Sequence, residues 1–180
     1  MWDKTIRDGG NVQRYHTKNL LKPQDVAQHS FNCALLADYF GTIIGLDTIE
    51  RHEVVMHMLL HDIPELGIGD TPYYVKQGFP EIDVALHEAE IDWCEDHMSR
   101  TNRDYMTMNG FCLEQKALCK FIDRYEALGK VTEEINMGNT SLRSTGYKIF
   151  KSCMDTIDQY ECLAPLEEFL ICEVNDNVTS

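Results

Sequence analysis

Between Asp25 and Ile44 the apolar residues Val26, Cys33, Leu36, Ala37, Phe40, Ile43 and Ile44 recur at multiples of three and four. That period fits the 3.6-residue turn of an α-helix, whereas a strand would present one face every second residue. Asp25 is suited to accept the first free amide protons as an N-cap, and Gly45 supplies a stop. The period returns in Thr48–Asp62, with Val54, Val55, Met58 and Leu59 inward, and in Glu81–Met98. It returns again in Leu113–Met137, with Phe121, Ile122, Tyr125, Leu128, Val131 and Ile135 on one stripe, and around Tyr147–Tyr160. No convincing run of alternating strand residues interrupts it, so the expected fold class is all-α, an irregular helical bundle. Pro64, Gly67 and Gly69 break the pattern after the second helix and predict a loop there.

A length of 180 residues suits one domain, 1–180, and 43% hydrophobic with 26% charged residues excludes a disordered or collagen-like chain. No apolar run approaches the roughly 20 residues that cross a bilayer, and Met1-Trp2-Asp3-Lys4 lacks the apolar core of a signal peptide. The expectation is a cytoplasmic protein with no membrane partner. Thirty acidic against sixteen basic residues give a net charge of −14, the wrong sign for gripping polymeric nucleic acid. The charge is uneven. Ser152–Ser180 has seven acids and no Lys or Arg, whereas Met1–Lys22 has five basic residues against Asp3 and Asp8. An anionic ligand is best received near that N-terminal segment or by a bound cation. Seven scattered cysteines without a CxxC pair read as reduced core residues.

Polar residues at apolar positions carry the functional signal. His29 lies four residues before Cys33 on the inward stripe of its helix, where an imidazole needs a partner. His61 and Asp62 close the apolar run of the second helix, just ahead of Pro64, and are costly there unless a cation compensates them. Asp123 repeats the anomaly beside Phe121, Ile122 and Tyr125; its plain alternative is an ion pair with Lys120 or Arg124. Two histidines and two carboxylates from three helices would suit a divalent ion with open positions for water and substrate. His57 and His61 form a competing HxxxH pair, but leucine stands where a zinc protease of that pattern has its glutamate.

The order His29, 31 intervening residues, His61-Asp62, then Asp123 resembles the H…HD…D signature of the HD-domain phosphohydrolases. The flanks Arg14-Tyr15, Gln28-His29-Ser30, His61-Asp62-Ile63-Pro64-Glu65, Gly69-Asp70-Thr71-Pro72 and Val75-Lys76 are similar to the small YfbR-like 5'-deoxynucleotidases and their phage relatives, the DatZ-type dATP triphosphohydrolases. Tyr15 stands where the bacterial nucleotidases usually have tryptophan, and Tyr73-Tyr74 replaces a smaller pair. No Gly-Tyr-Pro triplet follows the HD pair, which separates the chain from the cyclic-di-GMP phosphodiesterases.

The resemblance implies an HD-type bundle that cleaves the bond between the 5'-oxygen and the α-phosphorus of a deoxynucleotide. A divalent metal (Co, Mn, Zn, Fe, Ni or Mg) on His29, His61, Asp62 and Asp123 would acidify a water and neutralise phosphoryl charge. Glu65 and Asp70 become the catalytic carboxylates, the first to orient or deprotonate the water, the second to protonate the departing oxygen. Arg14 and Lys76 are the cations for phosphate oxygens, and Tyr15 is suited to stack on base or sugar. Monophosphate and triphosphate substrates both remain open; Lys18, Lys22 and His16 are the spare cations for a triphosphate, and the phage likeness leans toward dATP or dAMP. Also open are hydrolysis of another nucleotide, such as guanosine tetraphosphate, and a non-catalytic helical interaction module. A homo-oligomer, dimer or larger, through the apolar C-terminal helices is expected, in bacterial or phage-infected cytosol.

Overall fold

A computed structural model describes residues 4–174; the end of the acidic C-terminal stretch lies outside the described residues, as do the side chains of Tyr73 and Tyr74. Among the described residues nine α-helices run in the order α1 Val26–Ile43, α2 Thr48–Leu60, α3 Glu65–Ile68, α4 Tyr73–Gly78, α5 Pro80–His97, α6 Arg100–Met106, α7 Leu113–Asn136, α8 Arg143–Gln159 and α9 Glu167–Glu173. Short 3-10 segments cover Lys4–Asn11, Thr140–Leu142 and Glu161–Leu166. The described residues contain no strand, only an isolated bridge between Gln13 and Asp25. None of the described helices is long and apolar enough to cross a membrane.

Local chemistry sets the helix ends. Asp25 caps α1 by accepting from the Gln28 amide, and Gly45 follows its end with φ 83°, a left-handed conformation that glycine adopts without a side-chain clash. Asp47 and Glu50 form a capping box on α2, so that helix starts where its pattern predicts. It ends earlier than expected, at Leu60, and Leu59 is 36% exposed instead of inward. The predicted loop after Pro64 contains the single turn α3, closed by Gly69 at φ 83°.

The core lies where α1, α2 and α7 meet. Cys33, Ala37, Val54, Leu118, Phe121, Ile122 and Leu128 are fully enclosed, and Phe40 meets the Phe121, Tyr125 and Phe169 rings edge-on at 5.9, 5.1 and 5.6 Å. Such edge-to-face pairs add about 1 kcal/mol each beyond burial. Leu163, Leu166 and Leu170 are also buried, so the C-terminal segments complete this core. Phe31, Leu35 and Tyr39, one turn apart along α1, form an exposed apolar row, and Tyr147 on α8 and Ile171 on α9 are exposed as well.

Two further contacts position the site. The segment before α1 folds back on itself: the Arg14 amide donates to the Gln24 carbonyl at 2.9 Å and the Val26 amide to the Val12 carbonyl at 3.0 Å. The amides of Leu21 and Lys22 donate to the Glu134 carboxylate on α7 at 2.7 and 2.8 Å. On the other side, α5 backs α3 through Trp93, which stacks on His97 at 4.4 Å. A Cβ on Gly67 would sit 2.2 Å from the Trp93 indole, so only glycine permits this approach.

Candidate metal centre and active site

His29, on the inner face of α1, is fully buried. Its Nδ1 lies 2.5 Å from Glu126 Oε2 on α7, which turns Nε2 toward Asp123 Oδ1 at 3.2 Å and Asp62 Oδ2 at 3.5 Å. His61 caps the end of α2 and donates from Nδ1 to the Met58 carbonyl at 2.9 Å. Its Nε2 therefore carries the lone pair, 3.4 Å from Asp62 Oδ1 and 4.0 Å from Asp123 Oδ1. That nitrogen is buried and takes no hydrogen bond within the described residues. The structure thus brings the two histidines, Asp62 and Asp123 together from α1, the end of α2 and α7.

Asp123 is not the enclosed carboxylate that the sequence pattern suggests. Its side chain is 49% exposed, because the position turns out of the apolar stripe into the cleft. Neither alternative partner reaches it: the Lys120 ammonium lies over the Tyr160 ring at 5.9 Å, and Arg124 donates to the Ser152 carbonyl and to the Thr156 hydroxyl. His57 also departs from the centre. It is bound through Nδ1 to the Tyr105 carbonyl at 3.0 Å, and burial, then the neighbouring His61 ring, lowers its pKa to about 4, so it is a neutral core histidine.

The donor set suits a divalent cation. Asp62, Asp123 and Glu126 crowd the His29 ring, with the Arg14 guanidinium 2.5 Å from Asp62. Burial opposes charge on His29, but hydrogen bonds to Asp123, Cys33 and Glu126 outweigh it and lift its pKa to about 12. Burial also opposes charge on Asp62, yet His61, Arg14 and His29 hold its carboxyl below the usual range. Asp123 is likewise held well below that range, against its desolvation, by the His29 hydrogen bond and the surrounding positive charge. The cluster favours positive charge at Nε2 of His29, which a divalent cation would supply in place of a proton. His29, His61, Asp62 and Asp123 are the residues that would hold it. Cys33 Sγ is also close, but its near-equal distances of 3.6 and 3.7 Å from the two His29 nitrogens set it beside the ring and off both lone pairs.

The other predicted residues surround this cluster. Glu65, at the start of α3, is buried, and its Oε2 has no hydrogen-bond partner among the described residues. Burial, then the charges of Asp62 and Asp70, pushes its pKa up to about 8 against Arg14 and Lys76. Asp70 follows Gly69 and lies 3.6 Å from His16 Nδ1, while Lys76 on α4 lies 3.7 Å from Glu90 Oε1. Tyr15 has φ 56°, rare for an aromatic residue, and its ring packs partly against the core with the Arg14 guanidinium 5.9 Å from its centre. Glu126 is not among the residues that the sequence pattern singled out; Asp70 and His16 are, but not as partners of each other. The available signal for Glu126 is its spacing of three from Asp123, which repeats an acid on one face of α7.

Comparison with known proteins identifies the family and the fold. A family profile described as 5'-deoxynucleotidase YfbR-like matches residues 4–171. Two solved structures share the fold. An HD phosphohydrolase of cyanophage S-2L, DatZ, bound to dA and one catalytic Zn²⁺ ion, superposes with a TM-score of 0.66 at 18% identity over 94% of this chain and 97% of its own. An HD-domain phosphohydrolase from Listeria innocua superposes with a TM-score of 0.75 at 23% identity over 98% of this chain and 90% of its own. A search of curated proteins finds no match. With the profile spanning nearly the whole chain, the protein belongs to the YfbR-like 5'-deoxynucleotidase family.

Proposed function

We propose that this protein is a metal-dependent 5'-deoxynucleotidase, hydrolysing deoxynucleoside monophosphates to deoxynucleosides and inorganic phosphate. The observation that carries the reading is the buried, unpaired Nε2 of His61 facing Asp62 and Asp123 beside Nε2 of His29. A divalent cation held there supplies positive charge to a phosphoryl oxygen and acidifies a water. The catalytic Zn²⁺ of the phage relative supports a metal-dependent reading.

The chain's own residues do the rest. Arg14 and Lys76 bind phosphate oxygens, Arg14 through its planar fork and Lys76 as a point charge. Glu65 takes a proton from the attacking water; burial and the neighbouring carboxylates raise its proton affinity, which strengthens it as a base. The water oxygen bonds to phosphorus as the bond from phosphorus to the 5'-oxygen breaks; Asp70, in its protonated form, delivers a proton to that oxygen and regains one from the proton that Glu65 took from the water.

Charge favours the monophosphate over the triphosphate. Arg14 and Lys76 already face Asp62 and Glu90, and His16 faces Asp70. Lys22, a candidate for extra phosphates, is drawn off to Glu133 at 2.6 Å. With Arg14 and Lys76 already facing acids, the two charges of a divalent metal match the roughly two of a monophosphate, whereas the roughly four of a triphosphate would also meet Asp70 and Glu90. The dA bound by the phage relative makes deoxyadenosine the nucleoside to test first. A panel of dNMPs and dNTPs with Co²⁺, Mn²⁺, Zn²⁺ and Mg²⁺, with products resolved, tests the proposal. Release of phosphate from dNMPs is expected. Release of triphosphate from dNTPs in preference would refute the monophosphate reading, and no turnover with any metal would refute the hydrolase.

A further inference from the structure

We infer that Glu126 is a positioning residue whose carboxylate selects the tautomer of His29 and thereby sets the metal affinity of the site. The inference rests on the metal reading above and extends it to a residue outside the ligand set. Glu126 is buried and uses both oxygens. Oε2 accepts from His29 Nδ1 at 2.5 Å, while Oε1 accepts from Gln24 Nε2 at 2.7 Å and Asn32 Nδ2 at 2.9 Å. Two amide donors fix Oε1, so the carboxylate has one free direction, and that direction meets the imidazole. A carboxylate has no proton to give; Nδ1 must carry the hydrogen, which leaves the metal-binding lone pair on Nε2. A carboxylate behind the ring also makes the imidazole a more basic ligand.

Gln24 ties this clamp to the substrate side as well. Its side chain holds Glu126 while its carbonyl accepts the Arg14 amide at 2.9 Å, so one buried residue links the metal ligand to the phosphate cation.

Glutamine at position 126 cannot reproduce the arrangement. With its oxygen toward His29, its amide group meets the two donors; turned round, it donates to Nδ1 and drives the proton to Nε2, where metal must bind. Calorimetric titration of the wild type, E126Q and E126D with Co²⁺ tests this, alongside imidazole ¹⁵N spectra and turnover at limiting and saturating Co²⁺. Co²⁺ affinity should fall about 10- to 100-fold in each variant. The ¹⁵N signature of His29 should change, and saturating Co²⁺ should restore turnover, since Glu126 does not touch substrate. Folded variants that bind Co²⁺ as the wild type does, or that stay inactive at saturating Co²⁺, would overturn the inference alone. A wild type that binds no metal would overturn the functional reading with it. Should E126Q fail to fold, E126D, which keeps the charge and withdraws it by one methylene, decides.

Discussion

Replacing Glu134 with glutamine probes how the segment carrying Arg14 and Tyr15 is moored. Glu134 is fully enclosed on α7 and accepts from the Leu21 and Lys22 amides at 2.7 and 2.8 Å, from Asn139 Nδ2 at 3.0 Å and from Lys130 Nζ at 3.1 Å. Burial alone would raise its pKa, but these donors outweigh it and bring the value from 4.5 down to about 2. The folded-state pKa lies below the unfolded one, so the stabilisation is fully present above about pH 4.5 and is lost as pH falls toward 2. At about 1.4 kcal/mol per unit the shift corresponds to about 3 kcal/mol. Urea unfolding of wild type and E134Q between pH 7 and pH 3 reads this directly. We expect E134Q to be less stable by about 3 kcal/mol at pH 7, with the gap narrowing below about pH 4.5. Loosening of the segment should also raise KM for a deoxynucleotide while metal content stays unchanged. A gap that is independent of pH would refute the assignment of the stabilisation to the Glu134 charge.

Other substitutions separate the roles within the site. Asp62→Ala should abolish both metal binding and turnover, whereas Glu65→Gln should keep the metal and lose about 10²- to 10⁴-fold in kcat; metal analysis beside steady-state kinetics distinguishes them. Arg14→Lys should raise KM about tenfold, because an ammonium replaces a two-pronged donor, and substrate titration measures it. Gly67→Ala should cost about 1–3 kcal/mol in thermal unfolding and lower kcat, since its methyl would drive Trp93 away from the turn that holds Glu65.

The long helices were legible because their apolar stripes are sustained and their caps are local. Asp25, Gly45 and the stripe through Phe121, Ile122 and Leu128 all act within a few residues of themselves. The short helices α4, α6 and α9 were not, since six or seven residues carry too little periodicity and depend on packing against other elements. His29, His61, Asp62 and Asp123 stood out because polar groups interrupted apolar surroundings. Glu126 did not, as a glutamate among Arg124, Tyr125 and Ala127 resembles any residue on a solvated helix face until α1 covers it. The exposure of Asp123 was illegible for a related reason: its position on the edge of the stripe depends on how α1 and the end of α2 meet α7.

Asp123, Glu126, Lys130 and Glu134 follow one another at intervals of three, four and four, a polar rail on one side of α7 about 16 Å long. Its upper end serves the proposed ion-binding cluster and its lower end hooks the N-terminal strap through Leu21 and Lys22. Deleting a single residue between Glu126 and Lys130 would rotate the lower half by about 100° against the upper. The ion-binding end would survive such a slip while the strap came off its hook, so the length of this stretch is constrained even where its side chains are not.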